Sequence, residues 1–470
     1  MLTRIAILMG LLAGAIWSTY FGPGFFASIF YIMTLIVYYR SKDEALWLVF
    51  FFVLSDGFIG FFNKYEAVIS VIPGLPPIEV GHFYVILTVI KAYRGKSDNV
   101  PFYETMLKIM AIYILFLVAQ SYTMGLSMEI NVQFRIVKHI LPLLLFYSIP
   151  RLFDNEQHYR DLFLLLVPFA FIALGAQVFT LMTGAAPSQL LGLQRDLWFL
   201  KTAEAGKTYR GFYSTTAVLL SCFGALYYGA VKTNEINKPL MFSVVAADYL
   251  SAFISATRGW VLCFTFVVIM YLIFVLKLGA RSVGGIVVTS AIAMVILSSI
   301  PVVNKQFTNA YERVLTLEAL AGGDVSAGGT LTRLHKHGPK VMKRWAESPL
   351  TGWGFSNVFL KEANFHVGNQ TILMHSGVLG AFILALFFGV FNLQIVQRSM
   401  SLPHSNPVKS ALLVIPIFFM GWFIIHSTSG QQFAFYSEPG GAMAQAAFFS
   451  FAALVYKNAV LGDTPISQPA

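Results

Sequence analysis

The chain has 470 residues, of which 57% are apolar, 15% aromatic and 11% charged, with a net charge of +10 and a mean hydropathy of +0.69. A soluble domain carries about 25% charged residues, so this composition cannot coat the surface of a 52 kDa globule. It excludes a soluble enzyme, and long unbroken apolar runs in place of short alternating ones exclude a transmembrane β-barrel.

Apolar runs long enough to cross a hydrocarbon core of about 30 Å recur from end to end. In chain order the predicted spans are 5–20, 22–39, 45–62, 78–92, 107–125, 136–149, 162–183, 211–231, 240–256, 260–276, 284–301, 370–396, 411–427 and 441–458. The expected fold is therefore an all-α polytopic membrane protein of about 12–14 helices with one large, partly helical loop. The first span follows Arg4 like a signal sequence, but a second apolar run succeeds it at once. Val71 to Gly81, with Pro73, Pro76 and Pro77, reads as a re-entrant or interfacial break. Span six carries Lys138, His139 and Pro142.

Lys and Arg concentrate in alternate short loops: Arg40/Lys42, Lys91/Arg94/Lys96, Arg151/Arg160, Lys232/Lys238, Lys277/Arg281 and Arg398/Lys409. By the positive-inside rule these face the cytoplasm, together with both chain ends. The opposite loops then face outward, including 184–210 and the large loop 302–369. The organisation expected is N-terminal helices over 1–209, central helices over 210–301, the large outer loop over 302–369, and C-terminal helices with a short tail over 370–470. Within the loop, Thr330 to Ser348 reads as helix restarting at Gly338-Pro339, followed by the turn Pro349-Leu350-Thr351-Gly352-Trp353-Gly354. The cysteines Cys222 and Cys263 both lie in apolar spans and support neither a disulfide framework nor a zinc site.

Arg258 sits in the tight outward link Ser255-Ala256-Thr257-Arg258-Gly259-Trp260. Its bland reading is an interfacial anchor. An always-charged fork on the side where anchoring cations are disfavoured suits a phosphate or carboxylate ligand better. Arg210, before Gly211-Phe212-Tyr213, shares both readings, in a generally basic loop with Lys201 and Lys207. Arg333 opens the helical part of the large loop, where a solvated face is the usual fate of a cation. His366, in Asn364-Phe365-His366-Val367-Gly368-Asn369, is the outward imidazole nearest the next span and can take a proton near neutral pH. His335 and His337 compete for that role among Lys336, Lys340 and Lys343. Asp56 and Asp248 lie within predicted spans, where hydrogen-bonded structural acids are the ordinary case. Glu438 is outward and accessible. No P-loop, GxGxxG, HExxH or early outward acid pair is present, so no metal or cofactor is expected.

Taken in order, these residues resemble the O-antigen ligase and polymerase superfamily with its Wzy-C domain. The matches are Arg210-Gly211-Phe212, Thr257-Arg258-Gly259, Thr332-Arg333, Pro349-Leu350-Thr351-Gly352-Trp353-Gly354, His366 with Asn369, and the pair Gly377 and Gly380. They cover roughly Arg210 to Phe391. The first element is followed by Ser214-Thr215-Thr216 where the family often has Asn-Pro-Asn, and Thr257 stands where a serine is usual. The resemblance implies a metal-independent, inverting transfer of a glycan from an undecaprenyl-diphosphate carrier at the outer face of a bacterial inner membrane. The acceptor implied is a lipid such as lipid A core, a growing polysaccharide or a protein; membrane lipids are the other partners, and nucleic acid is not expected. Arg258 and Arg333 would clamp the diphosphate, Arg210 and Asn369 would contact substrate, and His366 would act as base. The rival class is a polysaccharide flippase, which calls for repeated halves and a charged mid-membrane cavity.

Overall fold

The computed structural model describes residues 1–62, 66–70, 77–193, 211–231, 237–279 and 336–461, together with isolated positions between 281 and 315. Helices dominate: α1 (Leu2–Tyr20), α2 (Phe26–Arg40), α3 (Glu44–Ser55), α4 (Val80–Arg94), α5 (Glu104–Thr123), α6 (Ile130–Ile140), α7 (Leu145–Leu152), α8 (Glu156–Thr183), α9 (Thr215–Ala230), α10 (Lys238–Ile254) and α11 (Arg258–Met270). After the large loop come α12 (Gly338–Trp345), α13 (Asn357–Glu362), α14 (Gly368–Ser401), α15 (Lys409–Leu412), α16 (Val414–Thr428) and α17 (Pro439–Leu461). Among the described residues the strands are β1 (Val68–Ile69) and β2 (Ile78–Glu79), one antiparallel two-residue pair. Seven of the described helical stretches are long and apolar enough to cross a membrane, and α2, α3 and α9 are shorter apolar helices. The chain is an all-α, multi-pass membrane protein.

Lipid offers backbone groups no water, so an apolar run must satisfy them internally, and the helix does so. Helix starts use local side chains: Asp43 accepts from Leu46 N at 3.1 Å, Asn155 from His158 N at 3.0 Å and Asn237 from Leu240 N at 3.1 Å. Two helices form the centre. α3 is buried from Glu44 to Leu54, and α9 is buried over nearly its whole length against α8, α10 and α16. α2 and α5 instead expose Ile32, Met33, Ile36, Ile112 and Leu115, the side chains that would meet lipid. Association of apolar helices in lipid depends on close packing more than on expelling water. Phe223 of α9 accordingly sits edge-on to Phe163 and Phe448, at centroid distances of 5.6 and 4.7 Å. Gly421 admits Val267 so closely that a Cβ there would lie 2.3 Å from it.

A helix occupies each predicted span except 284–301, most of which lies outside the described residues. Three spans differ from expectation. The span 45–62 stops at Ser55, because Gly57, Phe58 and Ile59 take positive φ (86°, 29° and 47°) and break the helix. Span six is two helices: amphipathic α6 gives way at Pro142 to a 3-10 turn and then α7. Span 370–396 is broken at Gly377, whose φ of 65° and ψ of −173° are open essentially to glycine alone.

The Gly377 break explains the glycine-rich turn. Trp353 N donates to Met374 O (2.8 Å), Gly354 N to His375 O (2.8 Å), and Val378 N donates to Pro349 O (2.9 Å). Residues 349–354 thus re-satisfy the backbone groups that the break sets free. Gln120 and Ser121 of α5 bind the same turn through Thr351, Gly352 and Phe355. The end of the bundle bearing this turn is called the loop end, and the end bearing Asp43, Lys91 and Asp154 the far end.

Candidate functional site

The site is built around three residues at the end of α16. Ser427, Thr428 and Ser429 lie between the start of α11 and the loop before α14. On one side Gly259 approaches so closely that a Cβ would fall 1.9 Å from Ser429 Oγ and 2.4 Å from Thr428 Oγ1. Arg258 therefore enters its helix directly beside this segment. On the other side Asn369 donates to Ser427 Oγ at 3.1 Å, and His366 Nδ1 lies 3.2 Å from Ser429 O. A carbonyl can only accept, so Nδ1 carries a proton in this contact, and in the neutral ring the lone pair is on Nε2. The structure brings the start of α11, which carries Arg258, together with His366 and Asn369 around one short segment; Arg210 and Arg333 lie outside the described residues.

The His366 loop is held on several sides. Asn364 Oδ1 accepts from His366 N (3.0 Å), Asn364 O accepts from Thr371 Oγ1 (2.6 Å), and Gln431 N donates to Phe365 O (2.7 Å). Gly368 lets α14 touch α16, where a Cβ would meet His426 O at 2.4 Å. His426 Nδ1 in turn accepts from Gln432 N and Phe433 N at 2.9 and 3.2 Å, turning the chain after α16. Upstream, Arg344 of α12 grips Glu362 of α13 through two hydrogen bonds of 2.9 and 2.7 Å. The Arg344 guanidinium holds the Glu362 carboxyl below the usual glutamate range, which keeps the pair charged at neutral pH. His337 precedes α12 without a side-chain hydrogen bond to its start, and it is not among His366's contacts.

The two acids of the predicted spans have structural partners. Asp56 Oδ2 accepts from Thr216 N (3.0 Å) and Ala217 N (3.1 Å), so it caps the positive end of α9 from the end of α3. Ser214 Oγ completes that junction by accepting from Ile59 N at 3.0 Å, which gives Ser214-Thr215-Thr216 a local role. Asp248 accepts from Ser221 Oγ at 3.0 Å between α10 and α9. Phe212, at the far side of α9's entry, meets Trp260 edge-on at 4.9 Å.

Beside this convergence lies a cleft of two adjoining parts, about 730 and 620 Å³, which share Glu79, His139, Phe365, Glu438 and Pro439. Its walls come from α6, the start of α4, residues 431–441 and, in the second part, the end of α3 with Asp56 and the entry to α9. Phe365, next to His366, reaches into it; His366 and Arg258 are not among its lining residues. An apolar groove of about 440 Å³ runs between α14 and α16 from Asn369 to Asn392. Glu438 was legible as an accessible acid, but the cleft's α6 wall was hidden. An eleven-residue amphipathic helix running into an apolar stretch looks like one span in a hydropathy window. Among the described residues no group of three or more His, Cys, Asp or Glu is arranged to hold a metal ion. No protein-family model matches the chain, and no curated protein matches it in sequence.

Proposed function

We propose that the protein transfers a glycan from an undecaprenyl-diphosphate carrier to an acceptor hydroxyl at the outer face of a bacterial inner membrane, as an O-antigen ligase does. The single observation that carries this reading is the convergence of Arg258 and His366 on Ser427–Ser429. It sets the helix start that carries Arg258 on one side of the segment and the His366 imidazole, with Nδ1 at the Ser429 carbonyl, on the other. A lipid diphosphate is a competent leaving group, and what its departure requires is stabilisation of negative charge.

In the proposed reaction the acceptor hydroxyl gives its proton to His366 Nε2 as its oxygen attacks the anomeric carbon. The bond from that carbon to the diphosphate oxygen breaks, the configuration inverts, and undecaprenyl diphosphate leaves with the bonding pair. Arg258 faces the developing charge, a charge-assisted contact of the stronger kind. The Ser429 carbonyl holds the imidazole tautomer and stabilises the imidazolium that forms. Arg333 as second clamp, and Arg210 and Asn369 as substrate contacts, belong to the same proposal. The groove beginning at Asn369 supports a substrate with a long apolar tail.

The test is release of undecaprenyl diphosphate by purified protein given a lipid-linked glycan and candidate acceptors, with EDTA present. Release by wild type that disappears in Arg258→Ala is expected, and product size separates ligation from polymerisation. Absence of release with every acceptor, with movement of the lipid across a proteoliposome, would replace this reading by a flippase.

A further inference from the structure

The cleft beside the convergence has a wall that the proposed reaction does not use. Arg135 and Lys138 of α6 both line it. Ile136 is buried, while Arg135 beside it on α6 is exposed. Three acids, Asp56, Glu79 and Glu438, line the cleft, yet none is within ion-pairing distance of Arg135 or Lys138, and these two cations pair with no carboxylate among the described residues. Lys138 donates only to Pro77 O (3.0 Å) and sits 5.6 Å from the centre of the Phe134 ring. A bound anion is what such a pair lacks.

The remaining surface suits a saccharide. Phe134 and Phe365 line it with aromatic surface for the apolar side of a sugar, and Asn131 with an amide for its hydroxyls, the mixture of apolar wall and few polar groups that fixes orientation in a binding cleft. The wall is also pre-organised. His82, buried in α4, shares a 2.9 Å hydrogen bond with Lys138 O, and Ser437 N donates to His139 O at 2.8 Å, so α6 is tied to both neighbouring elements. Phe365 joins this wall to His366, so a chain reacting at His366 extends naturally into the cleft.

We propose that the cleft binds an acidic stretch of the glycan substrate, with Arg135 and Lys138 pairing with its carboxylate or phosphate groups. This rests on the glycan-transfer reading for the identity of the ligand, while the charge preference rests on α6 alone. The same cations would also attract an anionic lipid headgroup, so the test must separate the two sources.

The full chain in phosphatidylcholine nanodiscs would be titrated with a short oligogalacturonate and with its fully methyl-esterified, uncharged counterpart. Binding of the acidic oligomer at least about tenfold tighter is expected, shrinking with added salt as surface charges are screened. Arg135→Gln with Lys138→Gln should abolish the preference and leave the uncharged oligomer's affinity unchanged. Arg135→Lys with Lys138→Arg should retain it, which controls for folding. Equal affinities, no binding of either oligomer, or a preference that survives the double glutamine variant would overturn the proposal. So would loss of the acidic oligomer when phosphatidylglycerol is added at constant salt, which would give the cations to lipid. Undecaprenyl diphosphate release is measured separately: release without acidic preference sinks the subsite and leaves the transferase reading, whereas acidic preference without release does the reverse.

Discussion

The two ends of the bundle treat charge differently. At the far end three partly buried cations, Arg4, Lys91 and Arg151, have carboxylate partners among the described residues. Arg4 bonds Asp43 and reaches Asp161 at 2.7 Å, tying α1 to the start of α3 and to α8, and Lys91 pairs with Glu44 across α3 and α4. Arg151 lies 3.8 Å from Glu104. At the loop end Arg135 and Lys138 have no such partner among the described residues, though carboxylates line the same cavity. A charge withdrawn from water without a partner costs free energy unless it is neutralised. The far end spends these charges on holding helices together, and at the loop end Arg344 does the same with Glu362, whereas Arg135 and Lys138 stay toward an open cleft. Structural charge occurs at both ends, and cations without a carboxylate line the cleft at one.

Substitutions can break or sharpen this contrast. The largest effect is expected at Gly377, where any side chain meets strain of about 1–3 kcal/mol and a Cβ 2.2 Å from Leu350 O. Gly377→Ala should lower stability by about 2–5 kcal/mol once overpacking is added, read as a fall in the thermal unfolding midpoint in nanodiscs. Glu44→Gln comes next: leaving Lys91 without its carboxylate should cost about 3 kcal/mol, while the folded fraction keeps its full rate of undecaprenyl diphosphate release. A reduced rate in that fraction would mean that the far end is coupled to the site.

Gly259→Ala should do the opposite. It adds one methyl where 1.9 Å is available, displacing Ser429 and with it the contact to His366, so release should fall by about 100-fold with little loss of fold. The Arg344–Glu362 clamp predicts a pH effect. Glu362 is depressed in the folded protein, so its contribution is present above the unfolded glutamate value of about 4.3 and is lost as pH falls through the lower folded value. Local exchange of amides in 357–366 should rise on acidification, and Glu362→Gln should remove that rise. The smallest effect is expected at Arg135→Gln, which breaks no ion pair among the described residues and should leave the unfolding free energy within about 0.5 kcal/mol of wild type. A larger loss would make Arg135 a structural cation like Arg4.

The spans were legible because lipid enforces long apolar helices, and composition records that directly. The breaks were less so. Hydropathy is blind to φ, and nothing in Phe58-Ile59 announces a left-handed turn; Gly57 is the one local signal. The turn 349–354 was recognisable by its glycines, but its use as a plug for the Gly377 break depends on pairing two distant segments. The same holds for the site. Arg258 and His366 stood out singly as a cation and an imidazole in links read as outward-facing. The approach of their elements to one segment depends on Gly259 and Gly368, whose missing side chains let α11 and α14 close on α16. Asp56 was placed inside a span because α3 was read as longer than it is.

The central claim is that His366 takes the acceptor's proton beside a cation that holds the donor. The most direct measurement is donor binding and undecaprenyl diphosphate release side by side for His366→Ala in the purified, full-length protein. The account predicts unchanged binding of the lipid-linked donor with release reduced by about 100- to 10,000-fold, the range for loss of a general base. Release at the wild-type rate in His366→Ala would contradict it.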